Sequence, residues 1–206
     1  MKATQTGILW SQVQVLVGPP AKQTLIRNGG GFVFLNYHLS MNQQELRNQL
    51  QDITLNHPSI HQRLLRERVQ NHSLKVVSGF GNDLSYNCVM YALNLQNDQR
   101  YLDLRIALPG HIHADTKFLK FLIDQGFLVE SEKGQLIIYF EGDVIKHIGK
   151  LSSHNRVVSK WGIGLLYDHE LFDIPVDYGC SIKRFSVKGS PDIFVEFKNY
   201  VDLLLD

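Results

Sequence analysis

The feature that most constrains the fold is a series of apolar, β-branched segments between residues 135 and 162, separated by short turns. Gln135–Phe140 reads QLIIYF, and the EGD that follows it is typical of a hairpin turn. A second segment runs from Val144 to Leu151, and the turn formers of Ser152–Asn155 lead into a third, Arg156–Trp161. Strands joined by turns this short pair antiparallel, so this region predicts an antiparallel sheet.

Helical patterns lie on either side of this region. Ser40 begins one with apolar residues at helical spacing, and another begins close to Cys88. A third follows Asp115, a good N-cap, and a fourth follows the Ser190-Pro191-Asp192 run near the C-terminus. Helices separated in sequence from an antiparallel sheet predict an α+β protein. We divide the chain into an N-terminal α/β extension, residues 1–75, and a main domain, residues 76–206.

Composition narrows the function classes. The chain has 206 residues with 44% apolar and 20% charged residues and a formal net charge of +1. These values are ordinary for a globular domain, and no dense basic stripe suggests nucleic acid as a partner. No apolar run approaches the roughly 20 residues of a membrane span, so we expect no membrane association. The N-terminal residues predict a strand and no signal peptide, which favours the cytoplasm or delivery by a specialised secretion system.

Two cysteines are present, Cys88 and Cys180. Cys88 follows a polar loop at the expected start of a helix, where the helix dipole favours the thiolate. We therefore expect the pKa of the Cys88 thiol to be lowered. Cys180 follows Tyr178-Gly179 with no helix behind it, and is interpreted as an ordinary buried residue.

A histidine on the second predicted strand is the candidate partner of the cysteine. His147 would lie beside a polar residue of the returning strand, an arrangement that suits a general base held in one tautomer. The His111-Ile112-His113-Ala114-Asp115 run contains metal-ligand residue types, but Thr116 follows it where a histidine would continue such a motif. We predict neither a metal site nor an organic cofactor.

The order of these motifs resembles the papain-like superfamily of cysteine hydrolases, and in its compact strand half the NlpC-type and CHAP-type amidases. Asn87-Cys88 falls at the position of the nucleophile and His147 at that of the base. In papain-like enzymes the strand after the histidine ends in Asn-Ser-Trp-Gly. Here the run is Ser159-Lys160-Trp161-Gly162, so Ser159 takes the place of the orienting asparagine. The resemblance covers roughly residues 80–180.

This resemblance implies a papain-like fold, in which a helix that begins with the cysteine packs on an antiparallel sheet. It assigns Cys88 as nucleophile, His147 as base and Ser159 as the residue that orients the base, with His169 as the alternative orienting residue. The oxyanion would be held by the Cys88 backbone N–H and one further donor. The candidates for oxyanion or substrate binding are Asn82, Ser85, Asn87 and Trp161.

The predicted function is a cysteine peptidase or amidase, a thiol hydrolase that acts on a peptide or amide through an acyl-enzyme. A papain-like acyltransferase or a glutamine deamidase would use the same groups. The non-enzymatic alternative is a binding or scaffold protein that keeps the papain-like shell. The N-terminal extension offers a surface for a partner or chaperone.

Overall fold

A computed structural model describes most of the chain. The described residues are 22–27, 33–38, 41–56, 63, 69, 72–77, 85–153, 155–162 and 164–205. The sequence also predicts a strand over residues 6–17 and a helix over residues 59–70. Apart from residues 63 and 69, both ranges lie outside the described residues, and so does Asn82.

Nine strands of the described residues form one sheet in the order β1-β2-β9-β5-β6-β7-β8-β3, with β4 beside β9, and every pair is antiparallel. The strands are β1 (Lys22–Arg27), β2 (Val33–His38), β3 (Lys75–Val76), β4 (Leu128–Glu130), β5 (Leu136–Glu141), β6 (Val144–Ser153), β7 (Arg156–Lys160), β8 (Leu166–Glu170) and β9 (Ser181–Val187).

Five α-helices accompany the sheet in the described part of the chain, which makes the protein a mixed α+β fold. They are α1 (Met41–Asn56), α2 (Cys88–Ala92), α3 (Gln99–Ala107), α4 (Thr116–Asp124) and α5 (Ile193–Leu205). None of these helices combines the length and the apolar character that crossing a lipid bilayer requires.

The sheet separates two apolar cores because successive side chains of a strand point to opposite faces. The first core lies between the sheet and helices α2 to α5, and includes Val89, Met90, Phe118, Leu119, Ile138, Ile148, Phe185 and Phe197. The second core lies on the other face, and includes Leu50, Ile53, Ile137, Tyr139, Val157, Trp161, Tyr167 and Ile182. Both faces of the central strands are therefore buried.

The three-strand meander predicted between residues 135 and 162 is confirmed as β5, β6 and β7. The predicted N-cap is also confirmed, since the Asp115 carboxylate accepts the N–H groups of Lys117 and Phe118 at 2.8 and 3.2 Å. Helix α3 and the strands β1, β3 and β8 were not predicted from the sequence. The sequences of helix α3 and strand β8 have weak apolar periodicity, so tertiary packing and not local pattern stabilises these elements.

The N-terminal extension is joined to the rest of the molecule through the same sheet. β2 pairs with the first residues of β9, and β1 pairs with β2. Helix α1 contributes Leu50 and Ile53 to the second core. The described residues before β3 therefore share a sheet and a core with the main domain.

We predict that Gly179→Ala lowers the free energy of unfolding by more than about 2 kcal/mol. Gly179 has φ of 104°, and a Cβ there would lie 2.6 Å from the carbonyl oxygen of Phe140. Gly142→Ala is the matched control, because Gly142 has φ of 57° with nothing within 4 Å of its Cβ position. That change should cost only about 1 kcal/mol. Urea denaturation of both variants checks this, and equal losses would contradict the close packing at Gly179.

Candidate active site

Cys88 is the first residue of α2, and local hydrogen bonds set where this helix begins. The Asn87 side chain caps it, since Oδ1 accepts the N–H of Met90 at 2.9 Å. The other end of the same amide donates to the carbonyl of Ala114 at 2.8 Å. Asn94, with φ of 61°, follows the end of the helix in the left-handed region. The five-residue helix thus holds Cys88 at a fixed place against the sheet.

Helix α2 packs against β6 and β7, the strands that carry His147 and Ser159. The backbone N–H of Leu151 on β6 points toward β5, where it donates to the carbonyl of Gln135 at 2.8 Å. Because N–H groups alternate along a strand, the N–H of Ile148 points to the β7 side. The pairing of β6 with β7 starts only at Lys150, and the Ile148 N–H lies at the Cys88 sulfur instead.

Burial raises the pKa of the Cys88 thiol to about 11. The backbone N–H groups of Ile148, Val89 and Cys88 itself oppose this rise, because each favours the thiolate. The expectation of a lowered pKa is therefore wrong for the structure as it stands. The desolvation of the sulfur outweighs the N–H groups of a helix only five residues long. The residue nevertheless keeps partial contact with solvent.

His147 is the residue before Ile148 on β6, and its side chain lies in the second core. It pairs with Tyr139, so the two side chains share a face. The His147 ring stacks on Tyr178, with centroids 4.0 Å apart and planes at 19°. Its Nε2 is buried and has no hydrogen-bond partner among the described residues. Burial lowers the pKa of His147 well below its ordinary value, and the charge of nearby His169 acts in the same direction.

Cys88 and His147 thus approach the same short stretch of β6 from different sides. Cys88 packs on the first core and meets the backbone of Ile148, whereas His147 projects into the second. Tyr178 lies close to both groups. Its ring stacks on His147, and the pKa of its hydroxyl is raised first by burial and second by the negative charge that Cys88 would carry as a thiolate. No hydrogen bond between Cys88 and His147 is present within the described ranges.

Ser159 and His169 form a separate buried network. His169 Nδ1 lies 2.7 Å from the carbonyl of Glu170, an acceptor only, so Nδ1 carries the proton. Nε2 then accepts the Ser159 hydroxyl at 2.8 Å, and the Ser159 Oγ accepts the Trp161 indole N–H at 3.1 Å. The pairing of β7 with β8 explains the contact, because Ser159 is diagonal to His169 across the two strands.

The predicted role of Ser159 and His169 as residues that orient His147 therefore has no hydrogen bond to support it within the described residues. Ser159 is bonded to His169, and both side chains are fully buried. After burial, a positive charge on His169 is the second influence that lowers the pKa of His147. The network instead fixes the end of β7 and the position of Trp161.

The predicted oxyanion and substrate-binding residues are mostly engaged elsewhere. Both ends of the Asn87 amide are hydrogen-bonded, one to the N–H of Met90 and one to the carbonyl of Ala114. Trp161 is only 2% exposed. Ser85 is exposed, and its carbonyl accepts Arg105. The N–H groups around the Cys88 sulfur are better placed to bind an oxyanion than these side chains are.

No cluster of three metal-ligating side chains occurs in the part of the chain that the structure describes. Asp115, the last residue of the His111–Asp115 run, is used in capping α4. The Cys88 region offers one thiol with backbone N–H groups, which is an anion-binding arrangement.

Two residues near the site had no clear signal in the sequence. Tyr178 covers His147 from a loop, and only its place before Gly179 marked it. Lys160 is fully buried, donates to the carbonyl of Gly164 and lies 4.8 Å from the centre of the Tyr86 ring. Because Tyr86 precedes Cys88 by two residues, Lys160 connects the end of β7 to the loop before the cysteine.

Comparison with known proteins identifies no relative. No family model, no curated protein and no solved structure matches this chain.

We predict that the protein loses stability as the pH falls from about 6.5 to 4, partly through His169. Burial lowers the pKa of His169 to about 4. The unfolded chain therefore binds a proton that the folded protein excludes, and this histidine alone removes about 3 kcal/mol of unfolding free energy. Urea denaturation across this range should give a shallower pH dependence for His169→Gln. The exposed His111→Gln should behave as the native protein does, and parallel curves for all three would contradict the assignment.

We also predict that the alkylation rate of Cys88 by iodoacetamide rises about tenfold per pH unit from pH 7 to 10, without a plateau. The reason is the pKa of about 11 of its thiol. Cys180 is exposed, so its interpretation as a buried residue is wrong, and a Cys180→Ser background removes this second thiol. Rates would be followed by intact mass. A plateau near neutral pH would show that the thiolate exists at rest.

Proposed function

We propose that the protein is a papain-like cysteine hydrolase that cleaves a peptide or amide, with Cys88 as nucleophile and His147 as general base. One observation carries the proposal. Adjacent residues of β6 present a backbone N–H to the Cys88 sulfur and a buried imidazole whose Nε2 has no hydrogen-bond partner among the described residues. A buried polar atom without a hydrogen bond costs about 1–3 kcal/mol, so a nitrogen kept in this state calls for a functional explanation.

The chemistry follows from these groups. The thiol proton passes to His147 Nε2 as the sulfur attacks the carbonyl carbon, and the carbonyl electrons move to oxygen. The N–H groups of Cys88 and Ile148 would hold this oxyanion. Collapse breaks the C–N bond, and His147 returns the proton to the leaving amine. Water then attacks the thioester, with His147 taking and returning a proton in the same way.

Cys88 and His147 are both neutral in the resting site, so substrate binding has to promote proton transfer between them. The raised thiol pKa and the lowered imidazole pKa both oppose an ion pair in the free protein. Cys88 packs on the first core and His147 lies in the second, so the proposal requires a rearrangement in the substrate complex that brings the two groups into contact. Catalytic hydrogen bonds are often absent in free enzymes and form only in the substrate complex.

The order of elements supports a papain-like arrangement. A helix that begins with the cysteine packs on antiparallel strands that carry the histidine and the Ser159-Lys160-Trp161-Gly162 run. Two features differ from that pattern, since Ser159 is bonded to His169 and the cysteine is not bonded to His147. An acyltransferase or a glutamine deamidase would share the first half of the reaction, and which acceptor enters the site decides among them.

A binding protein with a papain-like architecture is the second candidate. The specific observation in its favour is the neutral resting site, with a thiol pKa of about 11 and no Cys88–His147 hydrogen bond in the described residues. In such a protein, the partly exposed Cys88 would contact a ligand without reacting with it.

Acylation by p-nitrophenyl acetate distinguishes the two candidates without knowledge of the substrate. If Cys88 is a nucleophile activated by His147, the protein releases a burst of p-nitrophenolate, and peptide mapping places the acetyl group on Cys88. We expect His147→Gln to slow this acylation by about 10²–10⁴-fold, the usual contribution of a general base. Cys88→Ser should abolish the burst while the protein stays folded.

Cys180→Ser is the matched control, because it removes the other, exposed thiol and should leave the burst intact. Acetyl groups found only on Cys180, or equal acylation of Cys88 in the native and His147→Gln proteins, would contradict the hydrolase and favour the binding protein.

A further inference from the structure

One face of α1 bonds to a single loop of the main domain. Gln43, Arg47 and Gln51 are spaced at i, i+4 and i+8, so they lie in one row along the helix. All three side chains reach the segment Phe172–Gly179, more than 120 residues later in the chain. We call this segment the 172–179 loop.

Arg47 makes the central contacts of this row. Its Nε donates to the carbonyl of Ile174 at 3.3 Å, and its Nη2 donates to those of Pro175, Val176 and Gly179 at 3.3, 3.1 and 2.6 Å. The side chain is only 1% exposed. A buried guanidinium is tolerated only when its N–H groups are hydrogen-bonded, so the position of the arginine and the shape of the loop depend on each other.

The residues on either side of Arg47 bind the same loop. Gln51 Nε2 donates to the Asp177 carboxylate at 2.9 Å, and Gln51 Oε1 accepts the Asp177 N–H at 3.0 Å. Gln43 Nε2 donates to the Asp173 carboxylate at 2.8 Å. The row therefore holds both ends and the middle of the loop.

The loop carries Tyr178, whose ring stacks on His147 at a centroid separation of 4.0 Å. Tyr178 lies between Asp177 and Gly179, two of the residues that α1 binds. Two aromatic rings of the described residues contact the His147 ring: Tyr178 and, on the neighbouring strand, Tyr139 at a centroid separation of 5.6 Å. Since Tyr139 belongs to the sheet, the loop is the part of this enclosure that α1 controls.

We infer that α1 is an intramolecular clamp: its Gln43-Arg47-Gln51 row fixes the 172–179 loop and, through Tyr178, the position of the His147 imidazole. This gives the N-terminal extension a role inside the molecule. Arg47 and Tyr178 are positioning residues, because they act on the proposed base and not on the substrate. The inference extends the proposed function, but the placement of His147 is measurable without any catalysis.

NMR of protein labelled at histidine tests the clamp, with the His147 resonance assigned from His147→Gln. Tyr178→Leu removes the stacked ring and should move the His147 Cε1–H resonance, whereas Tyr178→Phe keeps the ring and should restore it. Arg47→Met keeps the length of the side chain without its donors. It should move the same resonance and speed hydrogen exchange at the Tyr178 and Gly179 amides by at least about tenfold.

Gln51→Ala provides a milder variant that carries the test if Arg47→Met fails to fold, and it should produce the same changes at smaller size. The matched control is Gln44→Ala. Gln44 lies on the same helix, and among the described residues its side chain bonds along the helix, to Asn48 at 3.2 Å. That control should leave the His147 resonance and the loop amides unchanged. The His169 resonance serves as an internal reference for general loosening of the second core.

Movement of the His147 resonance in Tyr178→Leu and in the folded α1 variants, with Gln44→Ala silent, supports the clamp even if p-nitrophenyl acetate never acylates Cys88. An unmoved His147 resonance in Gln51→Ala and Tyr178→Leu overturns the clamp, whatever the acylation assay gives. Equal movement of the His147 and His169 resonances would also overturn it, because that pattern reports a loosened core and no specific positioning.

Discussion

The backbone N–H of Ile148 donates to the Cys88 sulfur and not to a carbonyl of β7. The layout of the candidate site depends on this hydrogen bond. Where β6 and β7 separate, the backbone of β6 has a free donor that has to be satisfied. The sulfur of Cys88, at the start of α2, accepts the Ile148 N–H where a carbonyl of β7 would otherwise do so. After β7, the backbone N–H of Trp161 donates to the carbonyl of Leu165, and this hydrogen bond closes the turn into β8.

Burial controls the chemistry of the site more strongly than local dipoles do. The backbone N–H groups near the sulfur favour the thiolate, yet desolvation raises the pKa of Cys88 to about 11. Desolvation also lowers the pKa of His147 and of His169. All three groups are therefore driven to their neutral forms. In a medium of low dielectric constant, the free energy needed to bury an unpaired charge exceeds the stabilisation that the dipole of a one-turn helix provides.

Much of the fold is predictable because its signals are local. The β5–β7 meander follows from apolar, β-branched segments separated by short turns, and the start of α4 follows from the capping side chain of Asp115. The placement of Cys88 on a helix and His147 on a strand follows in the same way. The pairing of Ser159 with His169 was not predictable, because Leu166–Glu170 carries little β-branched character and β8 was not recognised. Without β8, His169 has no assigned neighbour.

Arg47 shows the other limit of sequence reasoning. An arginine in a polar helix is normally solvated, and nothing near it in sequence marks it as buried. Its partners are the carbonyl groups of Ile174, Pro175, Val176 and Gly179, which any residue type can present. The thiol pKa is unpredictable for the same reason, since it depends on how densely distant residues surround the sulfur.

The neutral resting site sets a requirement for any catalytic cycle. Forming a thiolate–imidazolium pair at Cys88 and His147 means placing two charges where burial disfavours both. Two changes reduce that cost: direct contact between the charges, and an oxyanion that forms beside the Ile148 N–H as the thiolate is consumed. Proton transfer coupled to attack on the carbonyl avoids a long-lived ion pair altogether. Under the proposed function, the site would stay neutral until a substrate carbonyl occupies it, and it would rely on His147 being held in place. We infer that the polar row of α1 supplies this restraint.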